Sequence, residues 1–213
     1  MGHTASIAAG APTLRECIAM DTADLWMDRW IKLLRAGAGN GFALELGCDN
    51  GRDTAWLVQQ GLSVVATDIS ADALRVCKRA VPETLVVQHD ITKPLPFADA
   101  SFGAVIASLS LHYFPWKDTQ AAVAEIRRVL KPPFGILLVR LNSTRDVYHG
   151  AGDGGREIER HYYEVEAKYA DRKRFFDKGE VMDLFKGWKV LSCNEQTIHR
   201  YEKPKVVWEV VAR

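Results

Sequence analysis

With 213 residues, 47% of them apolar, the chain holds enough material for one hydrophobic core and too little for two full domains. Its 28 Lys and Arg against 27 Asp and Glu leave a formal charge of +1, which excludes a global field drawing it to nucleic acid or an anionic membrane and favours a small partner. Cys17, Cys48, Cys77 and Cys193 include no C-x-x-C pair, so neither a metal site nor a disulfide framework is indicated, and a reducing compartment is the simple reading. No apolar run is long enough to span a membrane, and the first residues lack the layout of a secretory signal, so a cytoplasmic location is expected.

Residues 1–40 read as a helical N-terminal extension behind an unstructured leader. Leu14, Cys17, Ile18, Leu25, Trp26, Trp30, Leu33 and Leu34 recur at helical spacing between 13 and 35, and the glycines at 37, 39 and 41 end the pattern. The domain proper occupies 41–213. It alternates a strand at 42–46, a helix to 60, a strand at 62–67 and a helix to 80, then strands at 84–88 and 104–109, a helix at 118–130 and a strand at 135–141. Such βα alternation argues for a parallel sheet of the doubly wound α/β type. The polar, glycine-bearing stretch 142–155 is expected to be a loop and a candidate lid beside the strand ends. A charged helix at about 156–169, a shorter helix at about 178–185 and strands at 188–194 and 205–212 complete the expectation. The basic run Arg172-Lys173-Arg174, flanked by acids, reads as a solvated turn.

The densest chemical signal is Leu44-Glu45-Leu46-Gly47-Cys48-Asp49-Asn50-Gly51-Arg52, a strand running through a glycine-bearing turn into a helix. In doubly wound folds this turn borders the nucleoside crevice, and Asp68, ending the second strand, stands where a ribose-binding acid is expected. A dinucleotide fingerprint would need glycine at 47, 49 and 52; the chain has Gly47, Asp49 and Arg52. Without a pyrophosphate to approach, the third glycine is unnecessary. A sulfonium cofactor with an amino acid end suits the loop better, with Glu45 toward its ammonium and Arg52 toward its carboxylate.

This segment resembles the E/D-x-G-x-G-x-G motif of the class I S-adenosylmethionine (SAM) dependent methyltransferases, departing at Asp49, where the family usually has glycine. The resemblance implies a Rossmann-like, seven-stranded, mostly parallel sheet with an antiparallel last strand, and SAM as cofactor. It implies that Gly47, Cys48, Asp49, Gly51 and Arg52 line the methionine end, Asp68 binds the ribose, Ile69 packs on the adenine, Asp90 and Ile91 meet its edge, and Ser108 contacts the methionine end. With Leu111-His112-Tyr113-Phe114 and the run from Ile126 to Pro132, the likeness covers nearly all of 42–141.

Phe175-Phe176, Glu180, Gly187-Trp188, Asn194-Glu195 and His199-Arg200 resemble the tellurite-resistance methyltransferases, which makes His199 and Arg200 candidates for handling the acceptor. Trp26 and Trp30 resemble the substrate-covering aromatics of thiopurine-type enzymes, although at i, i+4 they equally fit packing on the sheet. Methyl transfer to a small S, Se/Te, N or O nucleophile follows from the cofactor. A base is needed only for a protonated acceptor, and His112, His149, His161 and His199 are the candidates. Tyr113 and Tyr163 are further substrate candidates, Tyr163 with packing as its other reading. A monomer or homodimer is expected. The competing function class is a non-catalytic SAM-binding or regulatory module, motivated by Asp49 and by the lack of one unambiguous base.

Overall fold

Strands covered on both faces read as unbroken apolar runs, and all seven residues of Ile136–Asn142 are buried. The computed structural model describes residues 26–152, 155–165, 171–199 and 201–213. Its strands are β1 (Phe42–Leu46), β2 (Ser63–Asp68), β3 (Leu85–Gln88), β4 (Ala104–Ser108), β5 (Ile136–Asn142), β6 (Glu157–Glu159), β7 (Tyr162–Glu164), β8 (Arg172–Arg174), β9 (Val190–Ile198) and β10 (Lys205–Ala212). Its helices are α1 (Ile31–Ala38), α2 (Arg52–Gln59), α3 (Ala71–Ala80), α4 (Trp116–Val129) and α5 (Lys178–Leu184).

Seven strands form one sheet in the order β3-β2-β1-β4-β5-β10-β9, with β10 antiparallel to both its neighbours, as the resemblance implied. Chain order reverses between β1 and β4, so the crevice of the sheet opens at the carboxyl ends of these two strands. Leu44, Val105, Leu137 and Val139 face α4 and α5 on one side. Ala43, Val64, Ala104, Ile106 and Leu138 face α1, α2 and α3 on the other. Each fully buried leucine, isoleucine or valine of these layers stabilises the fold by about 1.5–3 kcal/mol.

The expectation for the N-terminal extension is met only where it can be seen: a short 3-10 turn, Asp28–Trp30, leads into α1. Leu14, Cys17, Ile18 and Leu25, with the expected leader, lie outside the described residues. Trp26, Met27 and Leu34 are buried in the same apolar layer as α2 and α3, so this part of the extension belongs to the core.

Two expectations are corrected. The charged helix at 156–169 is instead an antiparallel sheet, β6-β7-β8, as far as it is described. Ile158, Tyr162 and Tyr163 favour strand; His161, at φ +57°, makes the turn, and Arg156 pairs across the ladder with Glu164 at 2.8 Å. Charge density there had masked a β pattern. Nor is Arg172-Lys173-Arg174 a solvated turn: it is β8, where Lys173 is half-buried and Arg174 is buried. Arg174 donates to the carbonyls of Phe114 and Arg160 and to Glu159, clipping the small sheet to the loop after β4.

Past β5, residues 143–152 form a loop with one short 3-10 turn, Val147–His149. Its first half is anchored rather than free, because Asp146 is buried and accepts from Lys205 Nζ at 2.9 Å and from the Val206 amide at 3.0 Å.

Candidate active site

The turn from β1 into α2 needs left-handed backbone at three places: Gly47 (φ +76°), Asp49 (φ +46°) and Gly51 (φ +83°). Asp tolerates this region better than most non-glycine residues, so the departure at Asp49 is accommodated. A Cβ on Gly47 would lie 2.7 Å from Ser110 Cβ, and one on Gly51 would lie 2.8 Å from Cys77 Sγ. The loop is therefore a closely fitted cradle. The amides of Gly47 and Cys48 both donate to the Thr67 carbonyl at 2.9 Å, tying the loop to the end of β2.

One residue further on, Asp68 accepts from the Asp49 amide at 3.0 Å through Oδ2 and from the Ser70 amide at 2.9 Å through Oδ1. A carboxylate ending an apolar strand needs such partners. Here they fix its position at the mouth of the crevice. Ile69 follows, 65% exposed, an apolar platform that nothing among the described residues covers. Past β3, Asp90 takes the Thr92 amide and hydroxyl on Oδ1 at 3.0 and 2.8 Å, and the amide bond first of all holds its pKa below the usual carboxylate range. Ile91 is partly buried against the core beside it.

Glu45 lies on β1, two residues before Gly47. It is buried on the α2 side of the sheet and accepts from the Thr54 hydroxyl, bracing β1 to α2 from beneath. Burial above all, then the charge of Asp53, raises its pKa well above that of an ordinary carboxyl. Cys48 and Cys77 are buried below the loop and share a thiol hydrogen bond, which draws Cys77 down to about 7 and pushes Cys48 up. Arg52 stands half-buried at the first residue of α2.

The far side of the crevice is built from the carboxyl ends of β4 and β5. Ser108, half-buried, ends β4; Leu109 then takes φ +58°, unusual for a leucine, and turns the chain so that Ser110 abuts Gly47. Ser110 Oγ is buried and has no partner among the described residues. The same holds for His112 Nδ1, both amide atoms of Asn142, and the indole nitrogens of Trp26 and Trp30. His112 is 2% exposed; burial, then the nearby charges of Lys205 and Lys173, hold its pKa well below the usual imidazole value, so it is neutral. Its ring lies 4.2 Å from that of Tyr113, whose carbonyl accepts from Tyr162 Oη at 3.1 Å.

Above β5, the guanidinium of Arg140 lies 4.4 Å from the Trp26 ring centre and donates to Glu209 at 2.6 and 3.0 Å. Arg29 bonds the same carboxylate, so the segment before α1 is clamped over this end of the sheet. Asn142 lies two residues beyond Arg140 on the same face of β5. Tyr163 and Lys173 are paired across β7 and β8 and share one face of the small sheet.

The remaining candidates stand apart. His161 Nδ1 lies 2.8 Å from Glu180 Oε2, at the capping box of α5. His149 contacts the Lys203 carbonyl at 3.3 Å and is held below its usual pKa chiefly by burial. His199 leaves β9 at the crevice end of the sheet but is exposed, and Arg200 lies outside the described residues.

Residues 44–139 match the family model of a methyltransferase domain. Over that stretch, a little under half of its length, the chain matches a methyltransferase domain. An uncharacterised methyltransferase of Synechocystis is 36% identical over 99 residues, 46% of this chain and 46% of that protein; the chain thus spans about half the length of the curated relative it matches. Among solved structures, a didemethyltoxoflavin N1-methyltransferase of Burkholderia thailandensis with its heterocycle and S-adenosylhomocysteine bound aligns with TM-score 0.64 at 19% identity, covering 93% of this chain and 81% of that one. TehB of Haemophilus influenzae aligns with TM-score 0.64 at 12% identity, over 92% and 65%. At these identities the structural likeness carries the class I fold alone.

Within the matched stretch, the residues brought together at the crevice mouth are the loop 47–51, Asp68, Ile69, Asp90 and Ile91. Sequence reasoning missed Ser110, Asn142, Asp146, Lys173 and Lys205. A polar residue ending an apolar strand singled out Asp68, and the same signal was available for Asn142. Lys205 and Asp146, 59 residues apart, carry no local signal of their pairing.

Proposed function

We propose that this chain is a SAM-dependent methyltransferase acting on a small molecule through a nucleophilic sulfur, selenium, tellurium, nitrogen or oxygen. The observation that carries the reading is the joint geometry of loop 47–51 and Asp68: a cradle that a Cβ would fill, closed by the bond from the Asp49 amide to the Asp68 carboxylate. The chemistry of the residues fits the cofactor. Asp68 offers acceptors for ribose hydroxyls, Ile69 an apolar surface for adenine, and Asp90 with Ile91 a polar and an apolar edge. Ser110, with its unpartnered hydroxyl, joins Gly47, Cys48, Asp49, Gly51 and Arg52 at the methionine end. Glu45 supports the loop without touching the ligand.

When bound, SAM supplies an activated methyl group on a cationic sulfur, so the chain's own task is to hold the acceptor in line and exclude water. Trp26, on Arg140, covers the acceptor side together with Trp30, Tyr113 and Asn142, which makes the described part of the extension, residues 26–40, a cover for a small acceptor rather than a platform for a polymer. The heterocycle in the Burkholderia enzyme lends weight to a small acceptor. In this reading His112, whose buried Nδ1 has no partner among the described residues, takes the proton of an acceptor that arrives protonated. Tyr163 and His199 belong to the rim in this reading, and Arg200 lies outside the described residues. Free thiols at Cys48, Cys77 and Cys193 fit a reducing cytoplasm, and no described helix is long and apolar enough to cross a membrane.

The test is incubation of the protein with methyl-labelled SAM and a panel of thiols, phenols, amines and oxyanions of selenium and tellurium, followed by mass spectrometry. A labelled product is expected. Cofactor binding with no labelled product across the panel and a cell extract would replace catalysis by a SAM-binding role.

A further inference from the structure

At the acceptor end, the small sheet presents two adjacent arginine and lysine side chains to opposite sides. Arg174 is buried and fully engaged with Phe114, Arg160 and Glu159. Lys173, its neighbour, is half-buried and has neither a hydrogen bond nor an ion pair among the described residues. The carboxylate nearest it is already committed: Asp146 gives Oδ2 to Lys205 at 2.9 Å and Oδ1 to the Val206 amide at 3.0 Å. Lys173 and Lys205 both lie within electrostatic reach of His112. Among the described residues, Asp146 is thus the carboxylate that both lysines meet. Beside them, Arg140 and Arg29 both bond the carboxylate of Glu209.

The same region holds the amide of Asn142, fully buried with neither atom partnered among the described residues, and the unpartnered Nδ1 of His112. A desolvated ammonium and a buried amide left without partners are each costly, and a native fold retains such groups where a ligand completes them. A neutral polar molecule would satisfy Asn142 and leave Lys173 uncompensated. An oxyanion satisfies both, accepting from the ammonium and from Asn142 Nδ2.

We propose that the methyl acceptor carries a carboxylate or an equivalent oxyanion, seated between Lys173 and Asn142 with the group to be methylated toward Ser110 and His112. The inference rests on the methyltransferase reading above and names the acceptor class for that site. It also bears on a base flanked by two lysines: burial is the main reason that His112 resists a proton, and an anion bound there offsets the smaller part due to the two positive charges.

Benzoate and its neutral isostere benzamide are suitable probes, since Trp26, His112 and Tyr113 give this end an aromatic lining. Their affinities for the S-adenosylhomocysteine-saturated protein are measured by saturation-transfer NMR titration, in the wild type and in Lys173→Met. Benzoate is expected to bind at least about tenfold more tightly than benzamide, the scale of one charge-assisted hydrogen bond. In K173M the two affinities should become equal while S-adenosylhomocysteine binding is unchanged. Equal affinities in the wild type, no benzoate binding, or a preference that survives K173M would overturn the inference and leave the methyltransferase reading standing, provided S-adenosylhomocysteine binds. A folded wild type that does not bind S-adenosylhomocysteine would remove that reading itself.

Discussion

At the mouth of the crevice the carboxylates of Asp68 and Asp90 are tied to backbone amides of Asp49, Ser70 and Thr92, whereas at its far side Ser110, His112 and Asn142 are buried with polar atoms unpartnered among the described residues. The first region is complete before anything binds. Its groups are held in place by local hydrogen bonds, which suits a cofactor of invariant shape. The second region keeps unmet capacity among the described residues, and it differs in its cations as well: Lys173 has no hydrogen bond or ion pair there, although the charge of Asp146 acts on it. Pre-organisation and unsatisfied capacity thus divide the site into a general half and a specific half.

The contrast can be broken most forcefully at Gly47. Gly47→Ala would force a side chain into φ +76° with its Cβ 2.7 Å from Ser110, and the left-handed penalty with that contact should cost about 2–3 kcal/mol, or on the order of 100-fold in S-adenosylhomocysteine affinity. Calorimetric titration reads the loss; unchanged affinity would show that the loop is not the cradle. At the other end, Asn142→Leu removes two unpartnered buried atoms at similar volume. Stability in urea should rise by about 1 kcal/mol, while acceptor turnover falls at least tenfold by the same scale. A variant both less stable and fully active would assign Asn142 to packing.

The pH dependence sharpens the division further. Because the folded pKa of His112 lies below its unfolded value of about 6.5, the unfolded chain binds a proton that the native state refuses. His112 therefore contributes stability that is fully present above that pH and lost as the pH falls below it. Glu45, raised in the fold, contributes with the opposite sign above its unfolded pKa. The difference between wild type and His112→Gln in thermal melts from pH 7.5 to pH 5 isolates the histidine: the wild type should lose more of its melting temperature on acidification than the variant does.

Much of this architecture was legible in the chain. Gly47, Asp49 and Gly51 marked the turn, and Asp68 announced itself as a charge at the end of an apolar run, because local backbone demands leave local signatures. The β6-β7-β8 sheet did not, since glutamates and arginines between Arg156 and Glu164 hid a strand alternation that only cross-strand pairing makes visible. Lys173 was hidden for the same reason, read as part of a solvated basic run when β8 turns it inward. Asn142 sat at a boundary and read as the start of a loop, although the argument used for Asp68 applies to it unchanged. The proposed acceptor half of the site is assembled from β4, β5, β8, β10 and the segment before α1, and contacts so distant in the chain have no motif.

Calorimetric titration of the folded protein with S-adenosylhomocysteine, beside the Asp68→Ala variant, reaches the central claim most directly. One site per chain is expected in the wild type, with affinity at least tenfold weaker once the Asp68 carboxylate and its bond to the Asp49 amide are gone. No binding heat from a folded wild type, or equal affinity in the two proteins, would contradict it.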